Sequence, residues 1–124
     1  MAISILKQGD CLIASMQSAV IDAELLQLRD DLARRVGEHR SRGVIVDVTV
    51  VDVMDSFTIR TLLDIAQVTK LRGADAVIVG IQPEVAFAMV QLGLRLEGVA
   101  TALDLEEGMA LLHRQHEDAH ADRG

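Results

Sequence analysis

The stretch GVIVDVTVVDVMDSFTIRTLLDIAQVTKLR, residues 43–72, decides the fold of this chain. Residues 44–48 are apolar except for Asp47, which is typical of a central strand covered on both faces of a sheet. After Asp55 the apolar residues recur at the spacing of a helix. The stretch therefore predicts a buried strand, a short loop and a helix, in that order.

The loop of this unit brings a serine to the start of the helix. Asp55 belongs to the residue types that are preferred at the N-cap position, so we expect Ser56 at the first helical position. There the hydroxyl would lie close to backbone N–H groups without an intrahelical acceptor, at the positive end of the helix dipole. A phosphate on Ser56 would be electrostatically favourable at this position.

Composition limits the class of protein. The chain has 124 residues, of which 50% are hydrophobic, which predicts one folded domain over residues 1–124. A net charge of −7 and a pI near 4.9 weigh against nucleic acid and anionic membrane as partners, and leave other proteins. No apolar stretch reaches the ~20 residues of a membrane span, and Lys7 and Asp10 interrupt any signal peptide. We therefore expect a cytoplasmic protein.

The flanking segments alternate between strand and helix patterns. Residues 3–7 and 11–14 predict a hairpin at the sheet edge, with Cys11 as a buried apolar residue. Asp22 is expected to cap a helix, Pro83 to occupy position N1 of another, and Asp104 to cap a last one with Glu107. Two further strands are predicted at residues 76–81 and 100–103, and residues 113–124 are expected to fray.

This order of elements specifies an α/β domain. We expect a mostly parallel central sheet of four or five strands with an antiparallel edge, packed by about four helices. The helix that begins at Ser56 should pack on the sheet through Ile59, Leu62 and Ile65. A second stripe of residues at helical spacing consists of Phe57, Thr61, Asp64, Val68 and Leu71. This stripe either packs under a neighbouring helix or forms a docking surface beside Ser56. Met54 and Phe57 flank Ser56 directly.

Three kinds of chemistry are possible on paper. Asp47, Asp52 and Asp55 could hold Mg²⁺ in a receiver-like aspartyl phosphotransfer site, but paired acids after the first strand and a lysine after the last are missing. Loop caps are the better interpretation. Three histidines at spacings of three and four could share a metal, but surface histidines are favoured; they are His113, His116 and His120. Ser56 has no nucleophile motif around it.

Several segments together resemble a known family. The run 47–66, with Asp55-Ser56 at the junction of loop and helix, is similar to the phospho-acceptor motif of STAS domains, the fold of the anti-sigma-factor antagonists. Three further segments narrow the resemblance to the single-domain scaffold proteins of the stressosome. They are GIQPEV at residues 80–85, LG at 92–93 and TALDLEEG at 101–108. The resemblance covers residues 3–112.

The resemblance implies a non-enzymatic switch without a cofactor of its own. Ser56 would be the phospho-acceptor, Asp52 and Asp55 would belong to its loop, and Met54, Phe57 and Thr61 would contact a partner. The implied partners are a GHKL-type switch kinase, STAS-domain sensor paralogues in a large assembly, a resetting phosphatase and further copies of the chain. Two alternatives stay open at this point: the receiver-like phosphotransfer domain, and a plain interaction module in which Ser56 is a helix cap.

Overall fold

The computed structural model describes residues 3–17, 20–96 and 98–121. The strands are β1 (Ile3–Gln8), β2 (Cys11–Met16), β3 (Gly43–Asp47), β4 (Asp75–Val79) and β5 (Ala100–Ala102). The helices are α1 (Asp22–His39), α2 (Ser56–Leu71), α3 (Pro83–Gln91) and α4 (Leu105–Ala121). The predicted α/β class is confirmed.

One five-stranded sheet runs in the order β1-β2-β3-β4-β5. The first two strands form an antiparallel hairpin, and every later neighbour is parallel. Strand β3 lies at the centre, between β2 and β4, as its continuous apolar run predicts. Parallel strands end at the same edge of a sheet, so the loops that follow β3, β4 and β5 lie together at one edge.

The two faces of the sheet carry different helices. Val44 and Val46 of β3 point to the face covered by α1, α2 and α3, where the larger cluster of buried side chains lies. Ile45 points to the opposite face, where Leu112 of α4 closes a smaller cluster. Helix α1 also packs directly against α2. The central unit is thereby covered on both faces, and the start of α2 has a fixed position relative to the sheet.

Two helix ends bear on the predictions. Helix α1 begins at Asp22, but its N-cap is Ile21, whose N–H donates to the Glu24 carboxylate at 3.1 Å. Asp22 is therefore not the cap. Helix α4 does not end at residue 113: it continues to Ala121, so residues 113–121 are helical, and the fraying expected of them stays a prediction. The prediction for residues 122–124 lies outside the described residues.

Candidate functional site

The loop between β3 and α2 is held at both of its ends. The Asp47 carboxylate accepts the N–H of Thr49 at 2.9 Å and its hydroxyl at 2.5 Å. The N–H of Val51 donates to the carbonyl of Val48 at 2.9 Å, and the side chain of Val51 is buried. Met54 is buried in the same core cluster. Three buried apolar side chains, Val48, Val51 and Met54, thus anchor a loop whose other residues are exposed.

The connection between β4 and α3, at the same edge of the sheet, contacts the β3–α2 loop. The Gln82 side-chain amide donates to the carbonyl of Thr49 at 2.6 Å, which joins the β4–α3 connection to the β3–α2 loop. Gly80 lies beside Thr49 with a φ of +82°, and a Cβ at residue 80 would overlap the Thr49 hydroxyl. Only glycine combines this backbone conformation with so close an approach.

Helix α2 begins as the sequence predicts. Asp55 is the N-cap, and its carboxylate accepts the N–H of Thr58 at 2.8 Å and the Thr58 hydroxyl at 2.9 Å. Ser56 is the first helical residue and is exposed. The geometry of a helix leaves the N–H groups of Ser56 and Phe57 without an intrahelical carbonyl. The site therefore offers an accessible hydroxyl beside partial positive charge.

The cap also sets the charge of the loop. The two hydrogen bonds from Thr58, backbone first and side chain second, lower the pKa of the Asp55 carboxyl below its ordinary value. Asp55 is therefore ionised at neutral pH, and Asp52 is exposed in the same loop. Asp55, and not Ser56, provides the side-chain cap of α2, so only the capping role that the plain interaction module assigned to Ser56 is wrong.

The predicted contact residues do not share one surface. Met54 is 8% exposed and Thr61 is 3% exposed, so little of either side chain is open to a partner. The Thr61 hydroxyl donates back to the carbonyl of Phe57 at 2.8 Å. Phe57 itself is 37% exposed and lies at the edge of the helix packing. We correct the prediction accordingly: Phe57 stays in the candidate contact surface, and Met54 and Thr61 leave it.

Two further apolar side chains lie in the loop that precedes Ser56. Val50 and Val53 are exposed in the loop, although both are β-branched residues of a strongly apolar run. No pattern in the sequence distinguishes them from Val48 and Val51, which belong to the same run and are buried. Exposed apolar side chains clustered around a modifiable residue are typical of a protein-binding surface. We define the switch surface as Val50, Val53, Ser56 and Phe57.

The residues considered for metal binding lie in other roles. Asp47 holds Thr49 and Asp55 holds Thr58, which agrees with the interpretation of these acids as loop caps. Within residues 3–17, 20–96 and 98–121, no group of three His, Cys, Asp or Glu side chains is arranged to hold a metal ion.

The histidines of α4 separate into two environments. The ring of His116 lies 3.0 Å from the carbonyl of Arg42 and 4.0 Å from the Asp75 carboxylate, and its side chain is 19% exposed. His113 is 75% exposed and lies 3.1 Å from Glu117. The side chain of His120 lies outside the described residues. His116 therefore fastens α4 to the start of β3, a contact that the sequence analysis missed.

Other titratable groups lie away from the switch surface. Cys11 is buried, and burial together with the nearby Asp10 raises the pKa of its thiol to about 11. The thiol is therefore protonated at neutral pH, as expected for a packed apolar residue. Arg34, in the basic end of α1, pairs with Glu38 at 3.0 Å and Asp31 at 3.5 Å.

Two cavities of the described part of the chain lie elsewhere. One of about 540 Å³ is lined by residues from the starts of β2 and β3 and by α4. The other, of about 470 Å³, lies between β1 and α1. Ser56 lines neither of them. None of the described helices combines the length and the apolar character that crossing a bilayer requires.

Comparison with known proteins agrees with this architecture. The family model of the STAS domain matches residues 2–108. The chain belongs to the STAS domain family. This STAS domain is 33% identical over 90 residues to the RsbT co-antagonist protein RsbRA of Bacillus subtilis, covering 72% of this chain and 33% of RsbRA. It is 32% identical over 65 residues to the RsbT co-antagonist protein RsbRD of the same organism, covering 52% of this chain and 23% of RsbRD. The chain thus spans at most about a third of the length of these relatives.

Solved structures extend the comparison. The STAS domain superposes on a variant of Moorella thermoacetica RsbS, in which a serine is replaced by glutamate, with a TM-score of 0.80 and 29% identity. That match covers 94% of this chain and 99% of the RsbS chain. A chain from a structure of the stressosome, described as a signal integration and transduction hub, matches with a TM-score of 0.74 and 29% identity, covering 91% and 98% of the two chains.

Proposed function

We propose that this STAS domain is a non-enzymatic phospho-switch scaffold of a stressosome-type assembly, with Ser56 as the phospho-acceptor. The observation that carries the proposal is the start of α2. Asp55 alone supplies the side-chain cap, and Ser56 is left exposed at the first helical position. Phosphate is favourable at a helix N-terminus, so modification does not require the helix to unfold.

The unmodified domain holds a GHKL-type switch kinase through the switch surface. Val53 and Phe57 present apolar area on either side of Ser56, and burial of that area stabilises the complex. Phosphorylation adds roughly −1.5 to −2 charge in the same segment as the acidic residues Asp52 and Asp55. Strong hydration of the phosphate and repulsion from these acids both oppose rebinding. The kinase is therefore released.

The wider partners follow from the relatives. RsbRA and RsbRD carry the name RsbT co-antagonist, and the RsbS and stressosome matches cover nearly the whole of this domain. We accordingly propose sensor paralogues with STAS domains, further copies of this chain and a resetting phosphatase as partners, in the cytoplasm. ATP and its metal ion belong to the kinase.

The experiment is phosphosite mapping with labelled ATP and a purified GHKL-type switch kinase. Label is expected on Ser56 and is expected to vanish in Ser56→Ala. Thr58→Ala is the matched control, because Thr58 is the nearest other hydroxyl in α2 and its loss should leave labelling intact. Label on an aspartate would favour the receiver-like alternative. Absence of label with kinase binding intact would favour the plain interaction module.

A further inference from the structure

Strand β1 forms an edge of the sheet that carries little charge. Its only neighbour among the described strands is β2. Lys7 is its single charged residue, and Leu6 is 60% exposed on the face away from α1. An edge strand with unpaired backbone groups is a template for pairing with another strand.

The turn of the hairpin identifies which backbone groups face the open edge. Gln8 pairs with Cys11 across the two-residue loop Gly9-Asp10, and Gly9 has a φ of +62°, as in a type II′ turn. The residues that close such a loop exchange hydrogen bonds, and the pairs alternate along the ladder. Ser4, Leu6 and Gln8 thus bond to β2. The N–H and C=O groups of Ile3, Ile5 and Lys7 point outward.

The hydrogen bonding between β2 and β3 independently supports this assignment of the outward backbone groups of β1. The carbonyl of Asp10 accepts the N–H of Arg42 at 2.8 Å, so it points toward β3. Because the backbone groups of successive residues in a strand point to opposite sides, the N–H and C=O groups of Cys11 point toward β1, as the turn geometry requires.

We propose that β1 is a homotypic interface, in which β1 of a second copy pairs antiparallel about a two-fold axis at Ile5. Ile5 then opposes Ile5 of the second copy, and Ile3 opposes Lys7. By symmetry, Lys7 also opposes Ile3 of the second copy. These three pairs use the outward backbone groups of both strands. On the other face Ser4 opposes Leu6, which brings the two Leu6 side chains within diagonal reach of each other.

Charge complementarity favours a second copy of this chain as the partner of the β1 edge. A cavity of about 470 Å³ runs along the β1 edge, lined by Ile3, Ile5 and Glu24 among others. Helix α1 starts near the Ile3 end, because Met16, the last residue of β2, pairs with Ile3. The Lys7 side chain of the second copy lies opposite Ile3, on the α1 side. It therefore approaches the end of the cavity that holds Glu24. In this register no lysine faces another lysine.

This inference does not depend on phosphorylation of Ser56. The test is sedimentation velocity of the purified chain over a concentration series. A reversible dimer is expected.

Leu6→Glu should raise the dissociation constant of this dimer roughly tenfold or more, because two carboxylates then lie on the same face of the paired strands. Lys7→Glu should weaken it similarly by placing an acid beside Glu24. Leu92→Glu is the matched control, since Leu92 is 63% exposed and lies at the end of α3. It should leave the dimer unchanged.

Disulfide trapping tests the register. A mixture of Ser4→Cys and Leu6→Cys chains should crosslink under mild oxidation faster than either variant alone, because these positions are directly opposed. Circular dichroism checks that each variant is folded. A monomer at all concentrations would overturn the proposal, as would dissociation by Leu92→Glu equal to that by Leu6→Glu. A dimer without the preferential crosslink would overturn the proposed pairing.

Discussion

The carboxylate of Asp55 accepts both the N–H and the hydroxyl of Thr58, at 2.8 and 2.9 Å, across the first turn of α2. This pairing caps the helix without using Ser56. Capping therefore lies with Asp55 and the proposed modification with its neighbour Ser56, and we expect that Ser56 can be changed with little effect on the helix.

The first prediction concerns this cap. Asp55→Ala should lower the free energy of unfolding by about 1 kcal/mol, the usual cost of losing an N-cap side chain. Because its folded-state pKa lies below the unfolded value, the stabilisation by Asp55 is fully present above the unfolded pKa of 3.8 and declines as pH falls through the folded pKa. The measurement is urea unfolding, followed by far-ultraviolet circular dichroism because the chain has no Trp or Tyr.

Asp55→Asn is the control for that experiment, since it keeps an acceptor that does not titrate. The difference between the original chain and Asp55→Asn should shrink from pH 7 to pH 3. A difference that stays constant over this range would mean that ionised Asp55 does not stabilise α2.

The second prediction uses Phe57, which is 37% exposed. Phe57→Ala should weaken kinase binding by roughly 2 kcal/mol or more if this ring is an anchor of the switch surface. It should lower the free energy of unfolding by less than the roughly 3–5 kcal/mol of a fully buried phenylalanine. Phe87→Ala, at an exposed position of α3, is the control and should affect neither quantity strongly. A large loss of stability with unchanged kinase affinity would remove Phe57 from the switch surface.

The third prediction concerns the attachment of α4. His116→Ala removes the contact with the Arg42 carbonyl and should cost about 1 kcal/mol of stability, the usual net value of a hydrogen bond. Amide hydrogen exchange in residues 113–117 should become faster. His113→Ala changes an exposed histidine of the same helix and should stay within about 0.5 kcal/mol. Equal effects from the two variants would mean that the His116 contact does not hold α4.

These cases show how far the sequence alone could predict the structure. The strand, loop and helix around Ser56 were predictable because their signals are local: an apolar run, an N-cap aspartate and a helical period. Thr61 was misplaced because periodicity defines stripes on a helix without showing which neighbouring element covers them. Met54 was misplaced because a position close to Ser56 in the sequence does not show whether a loop side chain points into the core. Residues 113–121 were expected to fray because they are polar. The contact that fastens His116 joins residues 74 positions apart, and no local pattern encodes it.

The fourth prediction is that phosphorylation acts locally. The phosphate lies at a helix end that accommodates negative charge, and the adjacent loop is anchored by buried Val51 and Met54. Backbone amide shifts on phosphorylation should therefore change mainly in residues 53–60. The amides of β4, which is mostly buried in the sheet, serve as the internal reference. Widespread shifts in β4 would indicate a rearranged domain instead of a change in surface charge.

The fifth prediction compares forms of Ser56 that differ in charge. Ser56→Ala cannot be phosphorylated and keeps the helix, so it should retain the kinase permanently with stability within about 1 kcal/mol of the original chain. Ser56→Asp adds one negative charge where phosphate adds up to two, and it lacks the three phosphoryl oxygens. It should therefore weaken kinase binding less than phosphorylation does.

The affinity of the kinase for the unmodified and the Ser56-phosphorylated domain, measured side by side by isothermal titration calorimetry, tests the central claim most directly. The switch mechanism predicts that phosphorylation weakens binding at least tenfold, or about 1.4 kcal/mol, with Ser56→Ala matching the unmodified domain. Equal affinity of the two forms, or tighter binding of the phosphorylated form, would contradict it.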